Sequence, residues 1–318
     1  MPHAPDHQPA SPRLAATIAG EPRGFVVPVV AGSIGRALVS LCPPNKCRLT
    51  GVVVCPASTI RPDRLESVEP TSLAELEGAI ATLSKTAQLR SEQLIVARPS
   101  PQNETPCVHH GFYIGLRREQ CWRALQLQEE RGWSFDWLAH FRMDVAFFDP
   151  ENLLTPLNVL SRHGPGVYVP GNHARNYGLS TVFGWPISDH FAVISREDGA
   201  MTAFMPQHCS IHNARNWYPI PEDKLLYQLE HFNISIHRGF FPWVLMRESV
   251  GSVAGNRSVD AECFRHRACC VMLNGTCQGW PPCPSPGERA RQCQTAFLGH
   301  ACMNPTMNRT AHRCPVLV

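Results

Sequence analysis

The chain has 318 residues, 43% of them hydrophobic and only 17% charged, with a formal net charge of +3. That is enough apolar chain for a sizeable core, as one large domain or one domain with an appendage. So small an imbalance, with no long basic run, argues against nucleic acid as a partner. Fourteen cysteines without a Cys-x-x-Cys pair favour disulfides over a zinc site.

Taken in chain order, residues 1–22 are rich in Pro and Ala and are predicted to be a disordered leader. They carry no apolar core of signal-peptide type. The apolar run from Phe25 is broken by Pro28 and stopped by Arg36. It is far short of the roughly 20 residues that a membrane span needs. It is predicted instead to be a strand over 25–30, followed by a glycine turn carrying Arg36 into a short helix. A second strand is predicted at "GVVVCP" from Gly51. In "SLAELEGAIATLSK" Ser72 and Glu75 form a capping box, and Leu73, Leu76, Ile80 and Leu83 form one apolar helical face. A third strand covers 93–97. A helix over 117–131 puts Cys121, Trp122 and Leu125 on one face, with Gly132 placed to end it.

The segment "SFDWLAHFRMD" alternates as a fourth strand, with Phe135, Trp137, Ala139 and Phe141 on one side and Asp136, Leu138, His140 and Arg142 on the other. Strands alternating with helices predict a mostly parallel sheet covered by helices. In such sheets ligands bind beyond the carboxyl ends of the strands, which is where Arg142 and Asp144 fall. Asp149 and Pro150 read as the cap and first residue of a helix to about 160. Further strands are expected at 166–170 and from Ile187, then an amphipathic helix over 221–232 with Leu225, Leu226, Leu229 and Phe232 inward. Two late strands lie in "ISIHR" and "FFPWVLMR". From Cys263 the cysteines are scattered among Pro, Gly, Asn and Arg, which predicts a Cys-rich irregular tail over 263–318 after a domain at 23–262.

The run "QCWRALQLQEERGWSFDWLAHFRMDVAFFDPENL" resembles a widespread, poorly characterised family of glycosyltransferases with a GT-A-like, Rossmann-like fold. The likeness is carried by Glu130, Arg131, Gly132, Phe135, Asp136, Trp137, Arg142, Asp144, Phe147 and Pro150. It continues through "VYVP" at 167–170, through Ser188, Asp189, Phe191 and Ala192, and through Pro221, Glu222 and Leu225. The Gly-x-x-Arg at Arg36 matches its first turn. Two residues depart from the pattern. Met143 stands where Pro is usual, and Arg142 stands where metal-dependent GT-A enzymes have the first residue of Asp-x-Asp.

The resemblance implies transfer of a sugar from a nucleotide-diphosphate donor to a hydroxyl of a glycan, lipid or protein acceptor. The leaving diphosphate needs cations around it. Arg36, Arg142 and Asp144 are implied at the donor, with Asp144 holding a divalent cation, manganese or magnesium. Asp189 is the candidate base, and Glu222 the candidate acceptor contact. Simpler readings stand beside these: Asp144 as a turn carboxylate paired with Arg142, Asp189 as a turn aspartate, and Glu222 as an acidic residue favouring its helix N-terminus. His109, His110 and His173 read as solvated or packed, and Cys42 with Cys47 as a small disulfide loop. Two other classes compete with an enzyme: a degenerate GT-A-like binding or scaffold module, and a secreted Cys-rich binding protein. Sequons at Asn103, Asn233, Asn256, Asn274 and Asn308, with the cysteines, point to the secretory pathway or Golgi lumen.

Overall fold

The computed structural model describes residues 11–56, 71–97, 112–147, 150–170, 189–206, 208, 221–239, 243–248, 259–261, 270–273 and 276–279. At its centre is a seven-stranded sheet in the order β3-β2-β1-β4-β7-β6-β8. Its strands are β1 (Arg13–Gly20), β2 (Arg48–Pro56), β3 (Leu94–Val96), β4 (Trp137–Arg142), β6 (Val167–Pro170), β7 (Phe191–Ser195) and β8 (Ile236–Gly239). Only β7 runs against the rest: β1 to β4 pair in parallel, β7 is antiparallel to β4 and to β6, and β6 is parallel to β8. The expected mostly parallel sheet covered by helices is the observed architecture.

The first strand corrects the sequence reading. Residues 13–20, assigned to a disordered leader, form the buried middle of the sheet. Leu14, Ala16 and Ile18 pack on one face, and Ala15 and Ala19 on the other. Small side chains suit a strand covered on both sides, where helices pack closely, yet they lack the β-branched signal by which strands are recognised. Arg13 fixes the strand's start: its Nη2 and Nε donate to Asp136 at 2.6 and 3.0 Å, and its backbone N–H to the same carboxylate at 3.1 Å.

The run from Phe25 is likewise not a strand. Pro22 opens a short helix, α1 (Pro22–Phe25), and Pro28 opens α2 (Pro28–Leu41). Each proline takes a first-turn position where its missing N–H costs nothing. Val30, Ala31, Ile34, Ala37, Leu38 and Leu41 then recur at helical spacing and are all buried. Arg36 lies on the outer face of α2 rather than in a strand-end turn.

Against the same face of the sheet lies α3 (Leu73–Thr86), with the expected Ser72–Glu75 capping box. Its Leu83 is buried, whereas Leu73 at the first position is exposed. The other face is covered by α4 (Phe112–Glu130), α7 (Ala200–Phe204) and α8 (Pro221–His231). Within α8, Leu225, Leu226 and Leu229 are buried; Phe232, expected inward, lies beyond the last turn and is exposed. The helix expected over 150–160 is broken by Pro156 into α5 (Pro150–Leu153) and α6 (Leu157–Leu160).

A small second sheet joins β5 (Val145–Phe147), β9 (Trp243–Glu248) and β10 (Val259–Ala261). Between β4 and β5 the chain turns at Met143 and Asp144, so these two residues lie where the sheets meet. Phe141, Phe147 and Phe191 interlock there with centroids 5.0 to 5.6 Å apart. Among the described residues two disulfides are present: the expected Cys42–Cys47, and Cys55–Cys121, which ties the end of β2 to α4. Of the tail expected to be irregular, β11 (Cys270–Leu273) and β12 (Thr276–Gly279) form a hairpin. Among the described residues no helix is long and apolar enough to cross a membrane.

Candidate functional site

From β1 the sheet extends one way through β2 and β3, and β4 lies on β1's other side. The strand order therefore reverses between β1 and β4, and the position beyond their carboxyl ends is the topological switch point of the sheet. Ala19 of β1 faces Arg142 of β4 in register. Gly20 follows with φ +139°, and a Cβ on Gly24 would lie 3.1 Å from the Cα of Asp144. Glycine at 24 thus lets α1 run against the 143–144 turn.

Arg142 is the hub. Its Nε and Nη2 donate to the two carboxylate oxygens of Asp144 at 3.1 and 2.7 Å, a bidentate fork. Its Nη1 lies 3.5 Å from Oδ1 of Asp189. The antiparallel register explains that meeting. Phe141 pairs with Phe191, so the end of β4 lies beside the start of β7, and the Arg142 N–H donates to the carbonyl of His190 at 2.9 Å. Arg142, Asp144 and Asp189, singled out from sequence, are therefore brought together at one edge.

Their exposure limits what they can do. The side chains of Arg142 and Asp144 are 15% and 14% exposed, and Asp189 is completely buried. Neither oxygen of Asp189 has a hydrogen-bond partner among the described residues, although His190 Nδ1 lies 3.4 Å from Oδ1. Two arginines among the described residues lie near this carboxylate. One is Arg142. The other is Arg118, which sequence reasoning passed over. It is a buried residue of α4 whose guanidinium lies 5.0 Å over the Phe204 ring and whose Nε has no partner among the described residues. Burial pushes Arg118 down to about 10, against an opposing pull from Asp189. The sequence signal was slight: a second arginine beside Arg117, on the helix face that also carries Cys121 and Trp122.

His140 lies among these charges in β4. Burial, with Arg118 and Arg142 nearby, pushes its pKa down to about 3. It is therefore neutral and shares a hydrogen bond with the Thr17 hydroxyl, 3.0 Å from Nδ1.

Arg36 and Glu222 are also among the described residues. Arg36 pairs with Glu151 of α5 at 3.3 Å and is half-exposed. Glu222 stands in the first turn of α8. His109, His110 and His173 lie outside the described residues. A divalent cation does not fit the arrangement at Asp144. Both oxygens of that carboxylate accept from Arg142, so a cation there would sit against a guanidinium. Among the described residues no three His, Cys, Asp or Glu side chains cluster as ligands.

No protein-family model matches the chain, and no curated protein matches it in sequence. Solved structures resemble its fold. A nucleoside-diphosphate-sugar pyrophosphorylase from Vibrio cholerae RC9 aligns over 73% of this chain and 94% of its own, at 13% identity and a TM-score of 0.40. The galactosyltransferase LgtC, in complex with donor and acceptor sugar analogs, aligns over 71% and 73%, at 9% identity and a TM-score of 0.37. A mannosyltransferase from Pyrobaculum calidifontis, in complex with GDP-Man and Mn2+, aligns over 72% of this chain and 55% of its own, at 9% identity and a TM-score of 0.37. At such distance these are likenesses of fold.

Proposed function

We propose that the chain is a glycosyltransferase that moves a sugar from a nucleotide-diphosphate donor to an acceptor hydroxyl, and that arginine rather than a metal ion supplies the positive charge. The observation that carries this is the position of the Arg142–Asp144 pair at the switch point between β1 and β4, where a doubly covered parallel sheet binds its ligand. Breaking the anomeric bond leaves negative charge on the diphosphate. Arg142 meets that charge by turning its fork from Asp144 to the diphosphate oxygens. In this reading Asp144 and Asp189 aim Arg142, and Arg118 is a second cation near Asp189. Asp189 is too deeply buried here to touch an acceptor oxygen, so its role as base requires that it be uncovered when the acceptor binds. Arg36, half-exposed and paired with Glu151, is retained at the donor on the family resemblance alone. Glu222 is retained as the acceptor-side residue on the family resemblance alone.

A second reading is favoured by the same burial. With Asp144 closed on Arg142 and Asp189 sealed, the crevice would hold a nucleotide sugar without consuming it, as a binding module does. The two separate in one experiment. A panel of nucleotide sugars is incubated with the full chain and mixed glycan acceptors, and release of nucleoside diphosphate is followed. Release from one donor, in chelator as well as in manganese, supports the transferase. Saturable binding of a donor with no release supports the module. Neither binding nor release removes both.

A further inference from the structure

The sequons have no place in the proposed function, and Asn233 is the one of the five that falls within the described residues. It sits in the turn that leads from α8 into β8, with φ +53°. Asparagine tolerates that left-handed geometry better than most residues. Its N–H donates to the Glu230 carbonyl at 3.0 Å, so the backbone is held. The side chain is exposed, and its amide makes no hydrogen bond among the described residues. Ser235, which completes Asn-Ile-Ser, is exposed too, while its carbonyl accepts from Val167 N–H at 2.9 Å. The preceding residue, Phe232, leaves 41% of its surface in water.

The cysteines supply a second, independent observation. Cys42–Cys47 and Cys55–Cys121 are both linked, and such bonds form and persist where the folding compartment is oxidising. That is the compartment in which asparagine amides of sequons are modified.

We infer that Asn233 carries an N-linked glycan. In the step, Nδ2 of Asn233 attacks the anomeric carbon of an oligosaccharide carried on a lipid diphosphate. The Nδ2–C1 bond forms, the C1–O bond to phosphate breaks, the lipid diphosphate leaves, and Nδ2 gives up one proton. No oxidant or reductant is needed. Transfer acts on the chain before it folds, so the folded state has only to leave room, and the exposed turn does. The glycan also has a physical use there. Among the described residues β8 is the end strand of the sheet and is paired on one side only, by β6. An unpaired edge invites pairing with another chain, and a bulky hydrated group three residues before it blocks that approach.

The test is made on the full protein isolated from its own cells with both disulfides intact. Trypsin cleavage after Lys224 and Arg238 gives a peptide with Asn233 as its single sequon. Glycan removal by peptide N-glycosidase in heavy-oxygen water should convert Asn233 to aspartate bearing one heavy oxygen. Ser235→Ala should abolish that label and Ser235→Thr should restore it. Recovery of the peptide with unmodified asparagine from the disulfide-bonded protein overturns the inference, as does label that persists in Ser235→Ala.

Discussion

Nη1 of Arg142 lies 3.5 Å from Oδ1 of Asp189, and the same guanidinium grips Asp144 with its other two nitrogens. One cation thereby joins the end of β4, the start of β7 and the turn into β5. Removing it takes a shared cation from two carboxylates that are 14% and 0% exposed. Arg142→Met should therefore destabilise the fold by about 3–5 kcal/mol, the cost of breaking a buried ion pair from one side. Urea unfolding at neutral pH measures it. A loss of about 0.5 kcal/mol, typical of a surface substitution, would mean the triad is not coupled.

His140 gives the fold an acid sensitivity with a defined sign. Its pKa falls from 6.5 to about 3 on folding, because burial and the neighbouring arginines oppose a charge. Between those values the unfolded chain binds a proton that the native state refuses. Stability is then complete above the unfolded pKa and declines as pH falls below it, at about 1.4 kcal/mol per unit at full slope. Urea unfolding between pH 7 and 5 should show this decline, and His140→Gln should flatten it. Equal slopes in the two proteins would contradict a buried neutral His140. Asp136, whose pKa is lowered by the hydrogen bond from Arg13, loses its contribution only at lower pH, as its carboxylate protonates.

The two disulfides should differ in worth. Cys55–Cys121 spans a sequence separation of 66, Cys42–Cys47 only 5. By loop-closure entropy the first is worth about 4 kcal/mol and the second about 2 kcal/mol. Paired Cys→Ala variants, compared by urea unfolding, should keep that order. A larger loss at Cys42–Cys47 would contradict it.

What the sequence made legible follows from where the information lies. The capping box at Ser72 is local, and α3 starts where it says. Arg142 and Asp144 stood out because charges at the end of an apolar strand are costly unless paired. The strand Arg13–Gly20 was hidden because its alanines gain their stability from helices that are distant in sequence. The helix Pro28–Leu41 was misread because Pro28 looked like a break in a strand, whereas at the first turn it starts a helix. Arg118 stayed invisible for a third reason. Its importance depends on Asp189, and only the antiparallel register of β4 with β7 brings that carboxylate to the edge where Arg142 and Arg118 lie.

The central claim is that the crevice between β1 and β4 binds a nucleoside diphosphate through Arg142 without a metal ion. It is tested most directly by calorimetric titration of uridine and guanosine diphosphates into the full chain in chelator, with the wild type beside Arg142→Lys. Lysine keeps the charge and loses the fork. We expect saturable binding of at least one nucleotide, unchanged by manganese and weakened on the order of tenfold, or about 1.4 kcal/mol, by the substitution. Binding that appears only with manganese, affinity indifferent to Arg142→Lys, or no binding of either nucleotide would contradict the account.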